Sequence, residues 1–492
     1  MHLVKKRVKG ISYYSIAETK RVNGKPKTTI LKYLGNAEKI LNIAMGIEKA
    51  GVAYTHVYDF GGVAALYFIA ESLQLQRIID MHAPKRDQGL TVGEYLLLIV
   101  LNRAADPKSK RGIARWYRNT VLKRLMDVPS ELLTSQNFWN HMGYLGKEEI
   151  RAIEKGITRI LLEENLSVDT LLYDITNFAT YIQDHDDDQL ARRGNNKQKR
   201  FDLNQINLAM LVTREDGIPL FHETYEGNMH DARKFPEIVA EIVMRLKEMS
   251  KNVRDVTLIF DKGNNSKDTL RRELHFVGSL KPYDYKNFLD IPLEEFDVAY
   301  KRKGKRREEE IPVLAKRFKY NVMDTERTIV ITYEETLYRK KKKTLIKNLK
   351  RTQMELEDLS AKIGTPRNKT IEAIEEKAKK IVKRKAVKGL FTYDVEENES
   401  CIHLSWDVDE DAVMEREKRF GKTIHFTDQH DWTTEEIIKA YRSKNVVEGD
   451  FMMLKSGGVS VMPMWHWTDE RIRVHVFCCV LALLLLMVLR RR

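Results

Sequence analysis

The sequence predicts a mixed α/β protein with a helical region before the sheet and a mainly helical insertion within it. Three observations carry that reading. Between residues 168 and 281 the chain reads as three strands in a row, then helix, strand, helix, strand, an order that builds a mixed sheet. Two of those strands run onto a carboxylate, Asp174 and Asp261. Residues 285–425 then change character before sheet-like sequence resumes. The 492 residues, 42% of them hydrophobic, suffice for about three domains with real cores.

In chain order, residues 1–55 form a basic β-hairpin region. Tyr13–Ala17 and Thr28–Leu34 flank Asn23-Gly24, a strong two-residue hairpin signal. Lys5, Lys6, Arg7, Lys9, Lys20, Arg21, Lys25 and Lys27 make it cationic, as suits either a solvated surface or a DNA backbone.

Residues 56–165 read as a helical DNA-binding domain, with amphipathic runs at Ala64–Leu73, Val92–Ala104 and Ile150–Leu162. Arg103, Lys110, Arg111 and Arg115 interleave there with Trp116 and Tyr117. That mixture suits phosphate and base contact, although a bundle with a basic face would share it.

Residues 166–284 hold the first part of the sheet domain. Val168–Asp174, Ile206–Thr213 and Ile218–Tyr225 are its first strands, followed by a helix over Asp231–Met249 and a strand over Val256–Asp261. Helix 266–274 and strand His275–Leu280 close the unit.

The insertion, 285–425, carries the cationic runs Lys301–Arg307 and Arg339–Lys343. Leu345, Leu349, Leu356, Leu359 and Ile363 keep helical spacing, Gly364 and Pro366 interrupt it, and Ile371, Ile374, Ala378 and Ile381 resume it. This is a helical hairpin. Short β segments, Thr328–Tyr333 and Cys401–Trp406, flank it.

Residues 426–492 complete the sheet domain. Thr433 and Glu436 have capping-box spacing before a helix that Gly457-Gly458 ends. On one continuous helix, Glu448, Lys455 and Lys444 fall roughly 20°, 40° and 60° from Tyr441, in one direction. A phenol, a carboxylate and two amines then share one stripe, which a merely solvated face could also present. Val474–Leu489 is apolar, about 16 residues against the roughly 20 of a membrane span, and contains His475. A buried globular helix fits it better, and the following Arg490–Arg492 is the feature that favours a membrane.

Lys and Arg exceed Asp and Glu, 85 to 71, for a net charge of +14. This favours a polyanionic partner, most often nucleic acid. Three cysteines, Cys401, Cys478 and Cys479, make neither a disulfide framework nor a zinc knuckle, so a reducing, cytoplasmic compartment is expected. The run Asp184–Asp188 reads as a solvated loop. His425, Asp428, His430 and Asp431 lack the cysteine or third well-spaced histidine that a zinc site would want.

Two strand-end aspartates can converge at a sheet edge, where their repulsion calls for a cation. A third carboxylate, Glu448, would complete a two-metal site for phosphodiester chemistry. At this point the chain resembles the DDE transposases of prokaryotic insertion sequences, in the branch with the signature Y-x2-R-x3-E-x6-K. Tyr441, Lys444, Glu448 and Lys455 stand at those spacings. Tyr173–Phe178 and Phe260–Ser266 are similar to the two aspartate motifs, and Tyr225–Asp231 and Trp465–Ile472 to further family segments. The resemblance runs from about residue 10 to the end.

The resemblance implies an RNase H-like catalytic domain and cut-and-paste DNA transposition. It implies that Asp174, Asp261 and Glu448 bind two Mg²⁺ or Mn²⁺ ions. Tyr441, Lys444 and Lys455 would hold phosphates, with Arg442, Asn264 and His230 as further DNA contacts. The implied partner is double-stranded DNA, both terminal inverted repeats and target, bound by a homodimer in a synaptic complex at the nucleoid, with no membrane role. Lys444 departs from the family's Arg, and a lysine cannot make the bidentate phosphate contact of a guanidinium. A catalytically impaired, transposase-derived DNA-binding protein is therefore the alternative.

Overall fold

The computed structural model describes residues 1–22, 24–46, 57–85, 89–182, 190–194, 200–248, 251–265, 273–303, 310–398 and 401–492. The chain divides into two compact units, Met1–Asp59 and Phe60–Arg492.

The first unit has three strands where a hairpin was expected. β1 (His2–Val8) pairs antiparallel with β2 (Ile11–Val22), which pairs with β3 (Lys25–Asn36). β1, HLVKKRV, hides behind its cations, and only the cross-strand pairing reveals it. Val22 faces Lys25 across the turn, where Gly24 takes a positive φ of 78° that a side chain would resist. Asn23 lies outside the described residues. A short helix, Ala37–Ala44, follows, its first turn capped by Asn36 accepting from the Lys39 N–H at 2.9 Å.

The second unit opens with helices that include Gly61–Ser72, Val92–Ala105 and Lys147–Glu163, close to the amphipathic runs read from sequence. Its sheet has ten strands. Those needed here are β4 (Thr170–Thr180), β5 (Arg192–Arg193), β6 (Asn204–Thr213), β7 (Pro219–Glu226), β8 (Thr257–Ile259), β9 (His275–Ser279), β10 (Asp297–Lys303), β11 (Glu310–Val322), β12 (Thr325–Tyr333) and β15 (Lys422–Thr427), the hairpin β13 (Phe391–Asn398) and β14 (Cys401–Val408) forming a separate sheet. The order is β10-β11-β12-β15-β9-β8-β4-β6-β5, with β7 also on β6. β4–β8 and β8–β9 are parallel and the other pairings antiparallel. The helix expected over 266–274 falls largely outside the described residues.

The insertion is shorter than its sequence boundaries. β10, β11 and β12 extend the main sheet, and β15 lies beside β12, so 297–303, 310–333 and 422–425 belong to the sheet and not to the insertion. Tyr333 and Lys422 are paired neighbours. The chain leaves the sheet at one and returns at the other. Between them, helices Glu335–Ala361 and Ile371–Val382 and the β13–β14 hairpin pack around their own core of Leu356, Leu359, Ile374, Ala378 and Leu404. The β segment Thr328–Tyr333 misled because a central strand and an isolated short one look alike in sequence.

The apolar C-terminal run is part of a 23-residue helix, Asp469–Arg491, long and apolar enough by composition to cross a membrane. In this fold 83% of its most apolar window is buried. It packs on helices Gly61–Ser72, Val92–Ala105 and Lys147–Glu163 and on β7. Protein therefore covers its apolar surface. Leu485 is fully buried there, so Leu485→Ala should cost about 2–5 kcal/mol of unfolding free energy. Denaturant titration measures this, and a loss below about 1 kcal/mol would mean the helix does not hold the core together.

Candidate active site

β4 and β8 set the site. Their parallel ladder pairs Thr170 with Thr257, Leu171 with Leu258 and Leu172 with Ile259. Asp174 and Asp261 each follow the last ladder pair by two residues. They therefore leave adjacent strands, about 4.8 Å apart, at the same level. Asp174 is not at the end of its strand, as sequence suggested. β4 runs on to Thr180 because β6 keeps pairing with it on the other side. Only the β8 side opens after Leu172, and Asp174 stands at that opening.

Asp261 caps a turn over Lys262–Asn264. Its Oδ1 accepts from the Lys262 N–H at 2.8 Å and from the Tyr441 hydroxyl at 3.0 Å, and the Lys444 Nζ is 3.4 Å away. Among the described residues its Oδ2 has no protein partner. Burial alone would raise this carboxyl's pKa. The Lys444 charge, the Lys262 N–H and the Tyr441 hydroxyl outweigh it and hold the group below the usual carboxylate range. Tyr441 moves the other way: burial and the Asp261 carboxylate push its phenol well above its usual range, and the Asp174 charge adds to this. One phenol thus stands in the field of both aspartates. His425 lies against the Tyr441 ring at 4.4 Å. Burial, then Arg442 and Lys444, push its pKa down to about 3, so the ring is neutral.

The signature segment is not one helix. Helix Thr434–Arg442 starts at Thr433 with the expected capping box, but a turn at Ser443–Lys444 separates it from helix Asn445–Lys455. There the Lys444 N–H reaches the Tyr441 carbonyl and the Val446 N–H the Ser443 carbonyl, both three residues back. Such tight steps turn the chain by about 120° per residue instead of 100°, so the single stripe does not survive. Tyr441 and Lys444 meet Asp261. Lys455 lies 5.6 Å over the Phe178 ring of β4. Glu448 is exposed. Among the described residues, no three His, Cys, Asp or Glu side chains are grouped to hold a metal ion. The two aspartates stand at one level of adjacent strands; Glu448 is not gathered with them here.

Several expected DNA contacts are corrected by burial. Arg103 is 5% exposed and donates to the Ser460 carbonyl at 3.1 Å. Lys110 is equally buried, and that burial lowers its pKa to about 8. Both brace the protein interior, where phosphate cannot reach them. Arg442 is held by the Tyr300 hydroxyl at 2.6 Å and by Glu334, at the root of the insertion. Arg111 and Arg115 are exposed one turn apart on helix Lys110–Arg118. His230 is exposed and lines a cleft of about 460 Å³ with Asn177, Arg193, Asn207 and Gly227, beside Asp174 in the chain. The Asn264 side chain and the run Asp184–Asp188 lie outside the described residues. The zinc alternative fails on its partners: Asp428 accepts from the Phe276 N–H at 2.9 Å, and His430 bonds Thr328 at 2.9 Å.

Two participants escaped the sequence reading. His425 backs Tyr441. Lys341, from the cationic run of the insertion, has its pKa lowered by burial and by the nearby Lys262 charge. The insertion therefore brings positive charge to the turn that Asp261 caps. The run was visible in sequence, but its destination was not.

Because Lys444 is the main charge holding Asp261 down, Lys444→Ala should raise that carboxyl's pKa. A depressed carboxylate contributes stability above its unfolded pKa that is lost as pH falls through the folded value. In Lys444→Ala that loss, isolated as the difference from Asp261→Asn, should set in at higher pH. Identical acid-unfolding curves would deny the pairing.

No protein-family model matches the chain, and no curated protein matches it in sequence. Among solved structures, it is similar to a piggyBac transposase in a synaptic complex with hairpin DNA, at 8% identity and a TM-score of 0.35, over 88% of this chain and 75% of that one.

Proposed function

We propose that this chain is a DDE transposase of the insertion-sequence type, with an RNase H-like catalytic core, that cleaves and joins transposon-end DNA. The observation that carries the reading is the placement of Asp174 and Asp261 at one level of adjacent parallel strands, with Tyr441 and Lys444 drawn onto Asp261. Three antiparallel strands followed by two parallel ones, β7-β6-β4-β8-β9, support the fold assignment. The net charge of +14 supports a DNA partner.

Asp174 and Asp261 would hold the divalent cations, with Glu448 as the third carboxylate. When bound, such ions lower the pKa of attacking water and offset charge on the leaving oxygen. The chain's own groups prepare that edge. Lys444 and the Lys262 N–H keep Asp261 ionised. Tyr441, protonated at neutral pH, donates a hydrogen bond and fixes the carboxylate's orientation. Neutral His425 packs behind Tyr441 without adding charge. Lys455 and Lys262 offer point charges to the DNA backbone on either side.

The second reading, a transposase-derived DNA-binding protein without cleavage, is favoured by the ungrouped Glu448. A supercoiled plasmid carrying the reading frame with its native flanks, incubated with the protein and Mg²⁺ or Mn²⁺, separates the two. Nicked, linear or joined products support the enzyme. Binding without any nicking supports the second reading, and no binding removes both.

A further inference from the structure

The segment after the signature helices, residues 456–468, carries the most exposed tryptophans of the second unit's described core region. It folds back on its helix: the Val461 N–H reaches the Leu454 carbonyl at 2.8 Å, and the Val461 carbonyl meets His475 Nε2 at 2.8 Å. Within it, exposure alternates residue by residue. Met464 is 8% exposed, Trp465 72%, His466 5% and Trp467 67%. His466 is seated in the interior, its ring 5.1 Å from that of His475. A period of two in an extended segment places both indoles on one outward side, about 6.6–7 Å apart along the chain. Twice the 3.4 Å stacking rise of a nucleic-acid strand is about 6.8 Å, so one planar ring fits between two so spaced.

Burying these indoles would be worth far more to the fold than exposing them, and anchoring them outward on a buried histidine makes them available to a ligand. The surroundings name its chemistry. Arg471 stands in the first turn of helix Asp469–Arg491, four residues past Trp467, and no carboxylate partner of Arg471 occurs among the described residues. Just past Trp467, the Asp469 carboxylate accepts from the Leu190 N–H at 3.0 Å, and the Leu190 carbonyl accepts from the Gly227 N–H at 3.1 Å. Gly227 lines the cleft that also holds Asn177 and His230. Asp469, two residues past Trp467, is therefore two hydrogen-bonded steps from Gly227 and the cleft that Ile175–Asn177 line.

We propose that Trp465 and Trp467 form a stacking platform for an unpaired nucleobase of a DNA strand lying in that cleft. The proposal rests on the DNA-binding reading above. Aromatic rings stack on any base, so the platform would distinguish unpaired from paired strands and not one sequence from another.

The test uses the full chain, an oligo(dT) of about 20 nucleotides and a duplex of equal length, with binding measured by anisotropy at two salt concentrations. The double variant Trp465→Ala/Trp467→Ala should lose on the order of tenfold to a hundredfold in single-strand affinity. Its duplex affinity and salt slope should stay as they were, because phosphate contacts set both. Trp465→Phe/Trp467→Phe should recover most of the loss. Equal losses on both DNAs, or none on either, would overturn the platform while leaving DNA binding intact. A wild-type chain that binds neither DNA would overturn both proposals. Tryptophan-dependent binding to anionic vesicles, with DNA affinity unchanged, would assign the indoles to a membrane surface and overturn the platform.

Discussion

Alanine in place of Asp174 or Asp261 is expected to reduce metal-dependent DNA cleavage by well over about a hundredfold, since replacing even a supporting group of a metal site costs 10–100-fold. DNA binding should stay within about twofold, because phosphate contacts dominate affinity. The physical basis is the β4–β8 ladder, which delivers both carboxylates to one level. Removing either leaves one strand carboxylate, with at most Glu448 beside it, too little negative charge to hold a pair of divalent cations. Asp261→Asn is the sharper probe, because it keeps the shape and can still accept from the Lys262 N–H and Tyr441. Plasmid nicking and filter binding read the two quantities. Unchanged nicking by either aspartate variant would remove that residue from the site. Glu448→Ala decides whether the exposed Glu448 takes part: loss of nicking would mean that DNA or metal draws it to the aspartates, and full activity would exclude it.

Gly227→Ala should be nearly as damaging, by a different route. A Cβ there would stand 2.0 Å from the Gln205 carbonyl oxygen and 2.7 Å from that of Arg192. Both obstacles are backbone, so no side chain can rotate away. Strands β5 and β6 and the end of β7 would have to separate, opening the cleft beside Asp174. A loss of about 1–3 kcal/mol or more is expected, read as a lower melting temperature together with lost cleavage. Gly263→Ala is the control for stability, since nothing lies within 4 Å of the Cβ it would add. Equal stability of the two variants would show that the close strand approach at Gly227 is not needed.

The elements of this protein were largely legible in its sequence, for local reasons. Apolar runs marked β6, β7 and β8, helical spacing marked the insertion hairpin, and Thr433 with Glu436 marked a helix start. Each rests on contacts within a few residues. Asp174, Asp261 and Glu448 could be singled out as a group from the strand ends, the charged stripe and the family signature. That Tyr441 and Lys444 would meet Asp261 could not, because it depends on strand register and on a turn. The break at Ser443–Lys444 replaces the expected stripe, bringing Tyr441 and Lys444 to Asp261 while Glu448 stays exposed. Burial was likewise beyond sequence: nothing local distinguishes Arg103 and Lys110, which are interior, from Arg111 and Arg115, which are not. Sequence by itself determined most of the helices and strands, the charge and the chemically able residues, since these follow from composition and short-range periodicity. The tertiary structure alone decided where the insertion begins, which cations reach the aspartates and which are locked in the core, since these follow from pairings between residues far apart in the chain.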